Sequence, residues 1–140
     1  MKRKTVENQN FRLIESELHF YKDTKKELDL MEMDIVELGN NKDVNISSGI
    51  GRPTEAKATK LLTSKELLEC RRRVNAIEYM LSILGNCDEP ARLRLVEMKY
   101  FERRLTDVGI WETLNISKRT YYRWKHEAVE LVAGKLGYKI

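Results

Sequence analysis

The sequence predicts an all-α protein with a helical N-terminal appendage and a C-terminal helix-turn-helix domain. Three observations lead there. Apolar residues recur at steps of three and four along most of the 140 residues. Only two prolines, Pro53 and Pro90, stand in the way of long helices. Finally, the stretch NISKRTYYRWKHEA, residues 115–128, sets Lys118, Arg119, Arg123 and Lys125 around Tyr121, Tyr122 and Trp124, with no acidic residue between Glu112 and Glu127.

Taken in order, the apolar positions 11, 14, 18 and 21 predict a helix over about 10–22. Asp23 and Thr24 then offer an N-cap, with Glu27 completing a capping box. Leu28, Met31, Ile35 and Leu38 continue as a second helix over about 24–38, which Gly39-Asn40-Asn41 ends. Residues 39–60 are rich in Gly, Asn and Ser and poor in apolar side chains, as a flexible linker is. Gly51-Arg52-Pro53 in this stretch has the core of a minor-groove hook, although with one arginine it reads better as plain loop. The domains expected are therefore 1–38, an appendage for oligomerisation or polymerase contact; 39–60, a linker; and 61–140, the DNA-binding domain.

A third helix is expected from about Ser64 to Leu84, with Leu67, Val74, Ile77, Leu81 and Leu84 in one stripe and Arg71-Arg72-Arg73 mostly off it. Asp88 is expected to cap a fourth helix with Pro90 in its first turn, where a missing N–H costs nothing. Leu93, Val96 and Tyr100 form its inner face. A short helix opened by Leu105-Thr106-Asp107 carries Ile110 and Leu114, and Asn115-Ile116-Ser117 makes a turn. Ser117 can cap the last helix by accepting from the N–H of Thr120. Beyond it the apolar steps run Tyr121, Trp124, Ala128, Leu131 or Val132, and Leu136. That register turns Tyr121 and Trp124 inward and leaves Lys118, Arg119, Tyr122, Arg123 and His126 on the outer sides.

A short helix, a three-residue turn and a second helix with a cationic outer face form a helix-turn-helix. The second helix of such a motif fits the major groove, where Arg pairs with guanine and Lys or Tyr reaches phosphate or a base edge. Charge agrees. Residues 1–69 hold 12 Lys and Arg against 13 Asp and Glu, a net −1, while residues 70–140 hold 14 against 9, a net +5. The basic half favours a polyanionic partner.

The C-terminal half, about 88–137, resembles the sigma-factor domain that reads the −35 promoter element. Almost the whole chain resembles the RinA/ArpU family of phage-encoded transcriptional regulators, through YKDTKKELDLMEMDI (21–35), GRPTEAKATKLL (51–62), EMKYFERRLT (97–106) and LNISKRTYYRWKHEAV (114–129). The resemblance implies a regulator of late phage genes, an activator, working with host RNA polymerase. It also implies that Lys118, Arg119, Thr120, Tyr122 and Arg123 face bases and phosphates. Lys125, His126 and the cap Ser117 complete the recognition helix, and Arg103 and Arg104 grip phosphate before it. The chain departs from the family pattern after Ile110, where Trp111 replaces a small residue; it must swing to an edge, push the second helix outward, or anchor against the third helix.

No pattern points to catalysis. The chain lacks GxSxG, P-loop, HExxH and GxGxxG sequences. His19 and His126 have no Cys or Asp at metal spacing, so no metal or cofactor is expected. Cys70 and Cys87 are expected to be free thiols in a reducing cytoplasm. No apolar run approaches a membrane span, and the N-terminus lacks the apolar core of a secretion signal. The partners expected are double-stranded DNA, host RNA polymerase and a second copy of the chain as a homodimer, in the cytoplasm of a bacterial host. Two rival readings are a small terminase-like DNA-packaging protein and a helical protein-interaction module.

Overall fold

The computed structural model describes the backbone of residues 2–40 and 53–140, and the side chains of residues 6–34 and 65–140. The described residues form helices and no strand. The helices are α1 (Lys2–His19), α2 (Tyr21–Asn40), α3 (Pro53–Gly85), α4 (Pro90–Val96), α5 (Asp107–Thr113) and α6 (Lys118–Leu136), with a π-helical segment at Glu97–Glu102. The all-α class follows. The chain divides into two compact units, one of Met1–Lys22 with Arg73–Ile140 and one of Asp23–Arg72.

Several boundaries differ from the sequence expectation. The Phe20 N–H donates to the Ser16 carbonyl at 3.1 Å, and the chain is helical again from Tyr21. The break therefore falls before the Asp23-Thr24 capping box, and Asp23 lies in the first turn of α2. Helix α3 starts at Pro53, well inside the expected linker and eleven residues before Ser64. Proline suits a first helical turn because its missing N–H has no intrahelical partner to lose. Gly51 and Arg52 of the possible hook lie outside the described residues.

At the next junction Glu89, not Asp88, is the N-cap of α4, and it makes no side-chain cap bond; Pro90 opens the helix as expected. The fourth helix then widens into the π segment, closed by the Arg103 N–H donating to the Met98 carbonyl at 3.1 Å. One wide turn shifts which residues face inward. Leu95, Val96, Met98 and Tyr100 are all buried, so the inner face is broader than Leu93, Val96 and Tyr100 alone. Arg103 ends the segment in the left-handed region at φ 53°.

In the unit that carries the helix-turn-helix, α1 packs against α6 and against the π segment. Ile14 and Leu18 on its inner face are completely buried. Each contributes roughly 1.5–3 kcal/mol by leaving water. The Tyr100 hydroxyl donates to Glu15 at 2.8 Å, and the His19 ring meets the Tyr100 ring edge-on at 5.1 Å. Burial and the Glu15 carboxylate both push the Tyr100 phenol well above the usual tyrosine range, so it stays a donor. The segment expected to be an appendage thus splits. Its first helix belongs to the core around the motif, because a stripe of Phe11, Ile14 and Leu18 finds apolar partners there.

In the other unit, Leu28 of α2 and Leu67 and Cys70 of α3 are buried. Arg71 pairs with Glu32 at 3.1 Å. Back in the first unit, Arg73 lies 3.7 Å from Glu17. Arg71 and Arg73 are therefore engaged with carboxylates of their own chain. Cys70 and Cys87 are free thiols.

The Tyr100–Glu15 bond yields a direct expectation. Tyr100→Phe keeps the ring and leaves a half-buried carboxylate without its donor. It should lower stability by about 1.5–3 kcal/mol, the usual worth of a hydrogen bond to a charged group. The urea midpoint of the full chain measures this.

Candidate nucleic-acid interface

Each helix of the motif is stopped and started by its own sequence. Thr106 caps α5, its hydroxyl accepting from the Gly109 N–H at 3.2 Å. Helix α5 ends when Asn115 turns left-handed at φ 55°. The Asn115 N–H then reaches the Glu112 carbonyl at 3.1 Å and the Ile116 N–H reaches the Trp111 carbonyl at 3.0 Å. Those two bonds close a helix end, and asparagine tolerates the left-handed position better than other non-glycine residues. Ser117 caps α6 at once, accepting from the Thr120 N–H at 3.1 Å, as its place in the sequence predicted.

Packing fixes the rotation of α6. Tyr121 is completely buried and Trp124 nearly so, both in a cluster with Leu95, Met98 and Ile110. The Tyr121 hydroxyl donates to Oδ1 of Asp107 at 2.6 Å, and Lys99 Nζ donates to the same oxygen at 2.8 Å. This three-residue bond ties the π segment, the start of α5 and the first turn of α6 together. Burial alone would raise the Asp107 pKa. The bonds from Lys99 and Tyr121 outweigh it and hold the carboxyl below its ordinary value.

Trp111 is accommodated without leaving the motif. Its ring meets Tyr121 edge-on at 5.5 Å and Tyr122 at 6.1 Å, so it lies along the seam between α5 and α6. The anchor is the second motif helix itself, not the third helix of the chain. Arg92 crosses above Trp124, its guanidinium 5.2 Å from the ring centre.

With Tyr121 and Trp124 inside, Lys118, Arg119, Tyr122 and Arg123 are exposed. Among the described residues no carboxylate forms an ion pair with Lys118, Arg119 or Arg123. Some other cations of this unit are matched. Arg92 pairs with Glu89 and Glu127, and Arg94 with Glu97 and Glu102. The first two turns of α6 thus carry uncompensated positive charge at a helix N-terminus, an arrangement suited to an anionic ligand.

Of the next two residues of the expected site, Lys125 is turned inward and His126 stays exposed beside α1. Lys125 has a side chain only 13% exposed, lies 3.5 Å from Glu15, and sits over the Phe11 and Tyr122 rings. Helix α1 therefore turns it inward. His126 stacks on Phe11 at 5.6 Å and lies 3.9 Å from Glu130. Thr120 is half-buried, and Ser117 is occupied with capping, its hydroxyl also donating to Thr120 Oγ1 at 2.9 Å. Arg103 and Arg104 are exposed in the connection before α5, with Arg103 lining a recess beside Arg12, Ser16 and His19.

Sequence reasoning missed the Lys99–Asp107–Tyr121 junction and the Glu15–Lys125 contact. The first joins residues eight and fourteen apart across two helix breaks, and the second joins residues 110 apart; periodicity within one helix carries neither. Among the described residues no group of His, Cys, Asp or Glu is arranged to hold a metal ion. No described helix is long and apolar enough to cross a membrane.

A family model described as a protein of unknown function, DUF1492, matches residues 35–133. The chain belongs to the DUF1492 family. The match runs from α2 through the helix-turn-helix into α6, so the motif lies within the family's own region, while α1 lies before it. No curated protein and no solved structure matches the chain.

The Asp107 carboxyl makes the motif acid-sensitive. Its folded pKa is depressed, so the stabilisation is fully present above the unfolded value, about 3.9, and is lost as pH falls through the lower folded value. Asp107→Asn should destabilise the protein at neutral pH and flatten the acid limb of the stability profile. Thermal melts between pH 7 and pH 2.5 check both effects.

Proposed function

We propose that the chain is a DNA-binding protein that lays the first turns of α6 in the major groove and reads sequence there. The observation that carries this reading is the unpaired set Lys118, Arg119 and Arg123, held outward because Tyr121 and Trp124 are buried. Neighbouring Arg92 and Arg94 are matched by carboxylates, while these three share one end of α6 with no carboxylate paired to them among the described residues. A major groove about 12 Å wide admits one α-helix. Helix α5 then braces across the backbone, with Arg103 and Arg104 in reach of phosphate before it.

Within that reading Arg123 takes a base edge, Lys118 and Arg119 take phosphate or base, and Tyr122 supplies a phenol beside them. Lys125 and His126 stay with α1. The resemblance to the RinA/ArpU regulators extends the reading to a phage-type activator of late or packaging genes, acting with host RNA polymerase and binding two half-sites as a homodimer. The reading involves no catalytic step. Its setting is the cytoplasm of a bacterial host.

Electrophoretic mobility or fluorescence anisotropy with a duplex selected from a random pool tests it. If about 4–6 phosphates are neutralised, log affinity should fall with log salt at a slope of about −4 to −5. Arg123→Ala should cost roughly 1–3 kcal/mol on the selected duplex and relax one position of it, with a smaller loss on random duplex. Equal loss on both would make Arg123 a phosphate contact. Failure to bind any duplex at low salt would overturn the reading and leave α6 as a docking face for an acidic protein.

A further inference from the structure

We infer that α2 carries a self-association surface, on which a second copy of this chain docks its own α2 in antiparallel orientation. Leu30 and Met33 are each 61% exposed, while Leu28 on the opposite side of the helix is only 7% exposed. Single exposed apolar side chains are ordinary. Two that are three residues apart stand side by side on one helix face and form an exposed apolar stripe. Leu68 of α3, in the same unit, is exposed to the same 61%.

The charge along α2 selects the occupant and its direction. The first six residues of the helix, YKDTKK, hold three lysines and one acid. The next eight, ELDLMEMD, hold four acids and no cation. A parallel copy would set lysines against lysines and acids against acids. An antiparallel copy sets the basic end of each helix beside the acidic end of the other, and two-fold symmetry repeats the match. Lys26 and Asp34 each lie four residues, about one turn, from Leu30 on opposite sides. A crossing centred at Leu30 therefore brings Lys26 of one copy level with Asp34 of the other.

This surface would supply the homodimer that the proposed function expects, and in that respect rests on it. Its test contains no DNA, so its failure would leave the DNA reading standing. Sedimentation of the full chain should show a reversible monomer–dimer equilibrium. The double substitution Leu30→Asp with Met33→Asp should weaken dimerisation by at least about tenfold, or roughly 1.4 kcal/mol. Circular dichroism should be unchanged, since both side chains are exposed. Lys26→Glu and Asp34→Lys should each weaken the dimer alone, and an equimolar mixture of the two variants should restore it, because each mixed pair then meets an opposite charge. A wild-type chain monomeric up to about 100 µM would overturn the inference. So would a double variant that dimerises like wild type, or a mixture no tighter than either charge variant by itself.

Discussion

The Asp107 carboxylate is the constraint on which the motif depends. One of its oxygens accepts from Tyr121 and from Lys99, so a single atom fixes the π segment, the first turn of α5 and the first turn of α6. A phenol buried to the last ångström needs its hydroxyl satisfied, since an unpaired buried hydroxyl costs about 1–3 kcal/mol. Asp107, at the start of α5, supplies that acceptor. The rotation of α6 follows, and with it the outward direction of Lys118, Arg119 and Arg123.

Helix α1 completes the same logic from the other side. Glu15 accepts from Tyr100 and faces Lys125, while Phe11 stacks on His126. The outer surface of α6 is therefore trimmed. Its first two turns remain open and positively charged, while Lys125 beyond them is covered by α1. A protein that binds DNA through an entire helix would leave Lys125 free. In the proposed reading the groove-facing surface therefore ends near Arg123.

Much of this was legible from residue spacing. The burial of Tyr121 and Trp124, the cap at Ser117, the turn at Asn115 and the stop at Gly85 all follow from local chemistry that acts within four residues. Of the expected stripe, Leu67, Val74, Ile77 and Leu84 are buried and Leu81 is half-buried. What escaped was non-local or depended on a departure from regular helix geometry. The π segment holds Met98 and Tyr100 in the core, and no propensity distinguishes EMKYFE from ordinary helix. Residues 53–60 looked like linker because they lack apolar side chains, yet a proline followed by good helix formers carries a helix well enough. Lys125 looked like a groove contact because the sequence of α6 holds no sign of α1 beside it. Trp111 looked disruptive until its ring was seen to follow the seam, where two tyrosine edges receive it.

The central claim is that inward packing of two aromatic rings creates the outward reading surface. Backbone amide chemical shifts of the isotope-labelled full chain, titrated with duplex DNA, test it most directly. The account predicts that the largest shifts cluster at Ser117–Arg123, with smaller ones at Arg103 and Arg104, while Lys125 and the α1 residues around Phe11 and Glu15 stay nearly still. Saturable binding whose shifts centre on α1 or on Lys125 and His126, leaving Lys118 to Arg123 unmoved, would contradict it.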